Sequence, residues 1–385
     1  LKNYTRLKSR RAKGFLEKMP RQLQTDRWMF GSTLALCLVG AIMVFSASAV
    51  MARDQYGNGS HFLLRQLLWL ACGLGGMMAV MNLDYRQLRR PAVIFSVLFG
   101  VLAMLAGVFF LDKSHATHRW IRIGPASLQP SELAKLAVIF YLAWFLEMRR
   151  RPDGFGMNDW KHTIIPAIGP VLVLVGLVVI EPDLGTAVEI FIIAVAMLYV
   201  AGLNGKYIIG AGLAALPIIY LLIVRVSYRY ERVIAFLNPT ADPQGHGFQL
   251  MQSLIAVGSG GFTGVGLMES KQKLFYLPEA HTDFIFAVLC EELGFIGGAI
   301  VLALFVIYGW RGMRSAFKTT DDFGRLAALG ITVMILSQTM INLGVVLGMM
   351  PTKGIPLPFI SYGGSSLLVM LLSTGILLNI SRQAD

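Results

Sequence analysis

Trp28–Val50 reads WMFGSTLALCLVGAIMVFSASAV, twenty-three residues with no charge between Arg27 and Arg53. A hydrocarbon core of about 30 Å takes roughly 20 apolar residues as a helix, which bonds every backbone N–H and C=O internally. The stretch therefore reads as a membrane crossing, and its character recurs along the chain. Phe62–Leu83, Pro91–Leu111, Ser131–Met148, Thr163–Ile180, Leu184–Val200, Tyr207–Val224, Phe284–Gly309, Leu326–Met349 and Ser365–Ile380 are further spans of this kind. The expectation is an all-α integral membrane protein of about ten transmembrane helices over residues 28–381. A basic tail over 1–27 precedes them, and a long loop, 225–283, separates helices seven and eight.

Composition agrees. Of 385 residues, 55% are hydrophobic and 15% charged, against about 25% charged in soluble domains; mean hydropathy is +0.63. The net charge of +12 would suggest nucleic acid on a soluble protein. Here roughly 20 of the 34 Lys and Arg fall in short segments on one side: the tail, Arg86 to Arg90, Arg149 to Arg151 with Lys161, Lys206, and Arg311 to Arg325. That is the positive-inside pattern. It makes this side and both termini cytoplasmic, and it removes the argument for a nucleic-acid partner. Cys37, Cys72 and Cys290 lie in apolar runs without disulfide or zinc spacing, so they read as small buried hydrophobes.

The unusual segments fall on the other side. Loop 225–283 is too long to be a plain connector; Gln249–Val257 in it has helical periodicity and Gly258–Gly266 reads as a hinge. Just before the eighth helix, LPEAHTDFIFAVL (277–289) places Glu279, His281 and Asp283 together. Asp283 or Thr282 fits the N-cap of that helix, and Asp283 equally fits a general base at a desolvated membrane edge; the two roles are compatible. QPSELAK (129–135) puts Glu132 and Lys135 on one helical face, as an ion pair at the bilayer edge, with Lys135 also free to meet an anion. Arg119 and Arg122 oppose the charge trend of that side and suggest an anionic partner, while Trp120 between them reads as a membrane-belt residue. EPDLGT (181–186) reads as a tight turn between helices. PTKGIPLPFISYGGSS (351–366) offers Lys353 and Ser361 beside a glycine pair suited to close helix packing. Gln338 and Asn342, four apart, read as interhelical hydrogen-bond glue, and of Glu291 and Glu292 at least one must face the bundle or a partner. No Walker, Rossmann, zinc or serine-hydrolase motif appears.

Taken together and in order, QPSEL, EPDLGT, Asn238-Pro239 with Asp242-Pro243, Gly245, Gly247 and Gln249, then Gln252-Ser253, Gly258-Ser259-Gly260-Gly261, LPEAHTDFIF and PLPFISYGGSS resemble the SEDS family (shape, elongation, division and sporulation) from about Met29 to Ser381. Pro351-Thr352-Lys353-Gly354 and the basic amino-terminal extension are similar to the division branch rather than the elongation branch. Glu181 and Phe248 stand where Gln and Tyr are common. The resemblance implies a peptidoglycan glycosyltransferase at the outer face of the bacterial inner membrane, at the division septum. Such an enzyme polymerises lipid II and works with a class B penicillin-binding protein of the FtsI type, other division proteins and membrane lipids. By the match to HTDF, Asp283 is the catalytic aspartate. The expected substrate-binding set is Arg119, Glu132, Lys135, Lys271, Lys273, Glu279, His281, Lys353 and Ser361. No protein metal ligands are expected, and a divalent cation, Mg2+ or Mn2+, is an option for the leaving diphosphate. A lipid II flippase and a non-catalytic scaffold for the penicillin-binding protein are the rival readings. Clustering of the unusual motifs on one face favours the enzyme.

Overall fold

The computed structural model describes residues 25–111, 119–123, 126–150, 156–240, 242, 245 and 247–384; most of the basic tail and part of the 112–130 loop lie outside them. The helices are α1 Arg27–Tyr56, α2 His61–Asn82, α3 Pro91–Leu111, α4 Pro130–Arg150, α5 Ile165–Ile180, α6 Leu184–Ala201, α7 Gly205–Val224, α8 Ser227–Leu237, α9 Phe248–Ser259, α10 Ile285–Lys318, α11 Asp322–Val346 and α12 Gly364–Gln383. A two-stranded antiparallel hairpin, Ile121–Ile123 with Ala126–Leu128, pairs Arg122 with Ser127. Nine crossings among the described residues are long and apolar enough to span a bilayer by composition alone. The tenth is α4, whose 21 residues include Glu132, Lys135 and Glu147.

The position of α4 explains how it keeps those charges. It sits in the middle of the bundle against α3, α6 and α11, and most of its side chains are buried. Lys135 is wholly buried. Its ammonium donates to Glu132 Oε1 at 3.0 Å, Glu189 Oε2 at 3.3 Å and Gln338 Oε1 at 2.7 Å. Ser366 Oγ donates to Glu132 Oε2 at 3.1 Å. All three ammonium protons are therefore placed, and one cluster ties α4, α6, α11 and α12 together. The expected Glu132–Lys135 pair is present, but Lys135 has no proton left for a ligand.

The long α10 bends at Gly294, whose φ is 66° and ψ −165°. The bend breaks the helical ladder, and the glycine-rich loop repairs it. Val265 N–H donates to Glu291 O at 3.0 Å, Gly266 N–H to Glu292 O at 3.1 Å, and Phe295 N–H to Gly261 O at 3.0 Å. Residue 294 must lack a side chain, because a Cβ would meet Phe262 O at 2.6 Å. The expected hinge at 258–266 is thus docked. Behind it, both Glu291 and Glu292 are buried. Glu291 accepts from Ser270 Oγ and from Lys271 N–H at 3.0 Å; Glu292 pairs with Lys273 at 3.1 Å and accepts from Ser46 Oγ at 2.6 Å.

The arginine-rich end of the bundle is closed by pairs between elements: Arg89–Glu147 at 2.7 Å, Arg150–Asp322 at 2.8 Å and Arg311–Asp26 at 2.6 Å. The opposite end carries the HTDF, EPDLGT and PTKG segments. Cys37 and Cys290 are buried, but Cys72 is exposed on α2, because that helix presents most of its surface outward. Removing the central ammonium leaves two buried carboxylates unmatched. Lys135→Met is expected to lose about 3–5 kcal/mol, read as a lower unfolding temperature in detergent. Adding Glu189→Gln to it is expected to recover part of that loss.

Candidate active site

The HTDF segment reaches α10 through a tight turn, with Glu279 at φ 56°. Thr282 N–H and Phe284 N–H both donate to the Glu279 carbonyl, at 3.2 and 3.3 Å. The backbone thus satisfies its own helix entry. The N-cap of α10 is Phe284, with no side-chain capping bond, and Thr282 Oγ1 turns back to Glu279 Oε2 at 2.8 Å. The expected cap at Asp283 or Thr282 is therefore not formed, and the Asp283 carboxylate is left free. Among the described residues it accepts no hydrogen bond.

What fixes Asp283 is its backbone. Three consecutive carbonyls each accept one bond from the α11–α12 region. Tyr362 N–H donates to His281 O at 3.0 Å, Ser361 Oγ to Thr282 O at 2.6 Å, and Asn342 Nδ2 to Asp283 O at 2.8 Å. Asp283 is half-buried, with its carboxyl against the PTKG loop. A Cβ on Gly354 would stand 2.9 Å from Asp283 Oδ2, so a side chain there would press on the carboxyl. Burial pushes the Asp283 carboxyl up to about 7, Glu279 adds to the rise, and Arg232 opposes it. Loss of water around a carboxylate penalises its charged form.

Lys353 precedes Gly354. Its stem crosses Gly185 of EPDLGT, where a Cβ would meet Lys353 Cε at 2.7 Å. Burial pulls the ammonium down to about 7; Asp183 opposes that shift, while Arg229, Arg119 and Arg232 reinforce it. Among the described residues Lys353 Nζ has neither a hydrogen bond nor an ion pair. Asp183 caps α6 by accepting from Thr186 N–H at 3.2 Å, and also takes Thr186 Oγ1 at 2.7 Å and Gln129 Nε2 at 3.3 Å. Arg119 binds the backbone of this turn, with Nε on Glu181 O at 3.1 Å and Nη2 on Pro182 O at 2.5 Å. Glu181 is buried with both carboxyl oxygens unpartnered. Burial, then Asp183, pushes it up to about 8, so it carries a proton at neutral pH.

Beside these groups lies a groove of about 290 Å³ between α6, α8, α11 and the PTKG loop, with the end of α7 at its margin. Its walls are apolar, among them Ile192, Val233, Ile341 and Val345. Every charged residue lining it is a cation: Arg229, Arg232 and Lys353. Arg232 Nη1 donates to Thr352 O at 3.2 Å and its guanidinium lies 4.5 Å from the centre of the Tyr228 ring; Arg229 Nη1 donates to Leu222 O at 3.1 Å. Sequence reasoning missed both arginines. Their spacing of three, beside Tyr228 on an amphipathic segment, was the available signal.

The expected site residues divide. Asp283, Arg119 and Lys353 gather at this pole with exposed Glu279 and buried His281, whose ring packs 4.8 Å from Phe62 and 5.6 Å from Tyr362. Burial lowers the His281 pKa, with Glu279 opposing. Glu132 and Lys135 are in the central ion cluster, and Lys273 is buried against Glu292. Lys271 has an exposed side chain on the loop docked to α10. Ser361 spends its hydroxyl on the backbone, accepting from Leu357 N–H at 2.7 Å as it donates to Thr282. Gln338 is the expected interhelical link, accepting from Lys135 on α4 while its amide donates to Pro356 O; Asn342 instead bonds only loop carbonyls, Asp283 O and Ile355 O. Among the described residues no group of three or more His, Cys, Asp or Glu is placed to hold a metal.

Fold and site together define a multi-pass membrane protein with Asp283 and Lys353 beside an apolar groove of about 290 Å³. The family of FtsW, RodA and SpoVE, described as cell cycle proteins, matches residues 27–385, and this chain belongs to it. It is 42% identical over 369 residues to a probable peptidoglycan glycosyltransferase FtsW of Trichlorobacter lovleyi, covering 95% of each chain. It is 43% identical over 353 residues to the stage V sporulation protein E of Bacillus subtilis, covering 91% of this chain and 95% of that one. A solved chain described under "Structural coordination of polymerization and crosslinking by a peptidoglycan synthase complex" superposes with a TM-score of 0.75 at 32% identity, over 94% of this chain and 98% of that one.

Because the Asp283 carboxylate caps nothing, Asp283→Ala is expected to leave the unfolding temperature unchanged or slightly raised. A loss of about 1 kcal/mol, the size of a missing N-cap, would restore the capping role.

Proposed function

We propose that this chain is a peptidoglycan glycosyltransferase that polymerises lipid II at the outer face of the bacterial inner membrane during septal synthesis. The observation that carries the reading is a half-buried Asp283 whose carboxyl takes no hydrogen bond from the described residues, beside an apolar groove whose charged lining residues, among those described, are cations. A prenyl diphosphate is an apolar chain ending in concentrated negative charge, and such a groove complements it. The names of the relatives support the reaction class. With the arginine-rich end cytoplasmic, the site faces outward and both termini lie inside. The synthase complex named for the solved relative supports a crosslinking partner, here a class B penicillin-binding protein of the FtsI type.

An α-linked sugar diphosphate giving a β-linked product requires one inversion. Asp283 takes the proton from the acceptor 4-hydroxyl. The new O4–C1 bond forms as the C1–O bond to diphosphate breaks, and the bonding pair leaves on the diphosphate. A base with a pKa near the working pH suits this transfer, and such catalysis contributes about 10²–10⁴-fold. Lys353, Arg232 and Arg229 meet the charge that develops on the leaving group. The half-desolvated site strengthens each of these attractions relative to water.

Two measurements test this. In nanodiscs with the crosslinking partner present and its own contribution excluded, Asp283→Asn is expected to form no glycan from labelled lipid II; near-normal polymer would refute the base. The pH profile of kcat/KM reports the free enzyme. Asp283 must be ionised, so the rate rises as pH passes about 7. Lys353 must be charged, so the rate falls again as pH passes about 7. The expected profile is a narrow bell, and Lys353→Arg is expected to extend its alkaline side. A flat profile from pH about 5 to about 9 would contradict both assignments.

A further inference from the structure

Asn342 lies within α11, one helical turn beyond Gln338, so the two amides share a face. Both protons of its amide are placed on separate chain segments. One goes to Asp283 O at 2.8 Å and the other to Ile355 O at 2.7 Å. Gln338 acts beside it, donating to Pro356 O at 2.8 Å while accepting from Lys135 Nζ at 2.7 Å. Ile355 is two residues from Lys353 and next to Gly354, the residue that lies against Asp283 Oδ2. A single side chain therefore spans the segment of the base and the segment of the cation.

The cost of having an amide there is also visible. Asn342 is buried, and its Oδ1 has no partner. A buried acceptor without a bond is unfavourable, and asparagine is a weak helix former. An apolar residue of similar volume would leave no orphan atom on α11. Asn342 earns its place by its two donors alone. The HTDF segment has further anchors, since Tyr362 N–H and Ser361 Oγ bond His281 O and Thr282 O.

We infer that Asn342 is a positioning residue for the glycosyl transfer, setting the separation and orientation of Asp283 relative to Lys353. The inference rests on the reading of Asp283 as the base. It touches no substrate and acts through the two carbonyls. Its loss lets the Asp283 backbone relax and the carboxyl regain water. The groups acting on that carboxyl are Glu279, Asp183, Arg232 and Arg119, and none of them is altered by a change at 342.

The test uses the full chain with its crosslinking partner in lipid nanodiscs, with labelled lipid II as substrate. Asn342→Leu and Asn342→Val each remove both donors and the orphan acceptor without adding a charge beside Asp283. Each is expected to lower kcat roughly 10- to 100-fold, the scale of a sub-ångström to 1 Å misplacement. KM is expected to stay within about threefold, and the acid limb of the kcat profile is expected to move toward the ordinary carboxylate value of about 3.9. Asn342→Ser, which is small and retains one donor, is expected to recover part of kcat, and it decides the matter where the other variants do not fold. Wild-type kcat and an unmoved acid limb would overturn the inference, as would a kcat that falls only in step with the unfolding temperature. Asp283→Asn run alongside separates the two claims. If it polymerises normally, the base reading fails; if it is inactive while the Asn342 variants behave as wild type, only the positioning role fails.

Discussion

The arrangement of this pole depends on holding a half-buried carboxylate without giving it a hydrogen bond from any described residue. A bonded Asp283 would be a cap or a structural anion, with a low pKa and little basicity. The chain avoids this by bonding the peptide groups of the segment instead of its side chain. Carbonyls of His281, Thr282 and Asp283 each accept one donor, and the Glu279 carbonyl closes the helix entry. The side chain is then fixed in place yet chemically free, with the Gly354 backbone against one oxygen. Lys353 is held in a comparable way, its stem resting on Gly185.

The interior charges serve this arrangement from a distance. Lys135 is neutralised by Glu132 and Glu189 and passes a hydrogen bond to Gln338, which anchors the PTKG loop through Pro356. Lys273 and Glu292 hold the glycine-rich loop where α10 bends. Ion pairs of this kind are poor sources of net stability, because both partners must be desolvated. Their value here is geometric, as each joins segments distant in sequence that border the pole. The division of labour is by burial. Paired charges lie inside the bundle, and the uncompensated ones, Asp283 and Lys353, stand at its edge, where ligand can replace lost solvation.

Much of this was legible in the sequence, for reasons of scale. An apolar run of twenty residues has one physical interpretation, so the crossings and the charged loops between them could be read directly. The motifs were also legible, since EPDLGT, HTDF and PTKG do converge. What could not be read was which polar groups are already satisfied. Lys135, Lys273 and Ser361 look like ligand contacts as residue types, and only the tertiary structure shows their protons already taken. The capping of α10 was undecidable because an aspartate before a helix fits a cap as well as a base; the left-handed Glu279 settles it. The hairpin at 121–128 is too short for a period to show. Arg229 and Arg232 lay in a segment whose helix, α8, is amphipathic and so lacks the continuous apolar signal of a crossing. Identity to a sporulation protein and to a division protein is nearly the same, so the septal assignment rests on the PTKG form and the basic tail.

The most direct test of the account is the protonation of Asp283 itself. Infrared difference titration of wild type against Asp283→Asn in lipid nanodiscs isolates the carbonyl stretch of that one carboxylic acid. The account predicts a band lost on deprotonation with a midpoint of about 7. A midpoint near the ordinary aspartate value of about 3.9 would show a solvated or hydrogen-bonded carboxylate, and the desolvated base at the centre of this site would be contradicted.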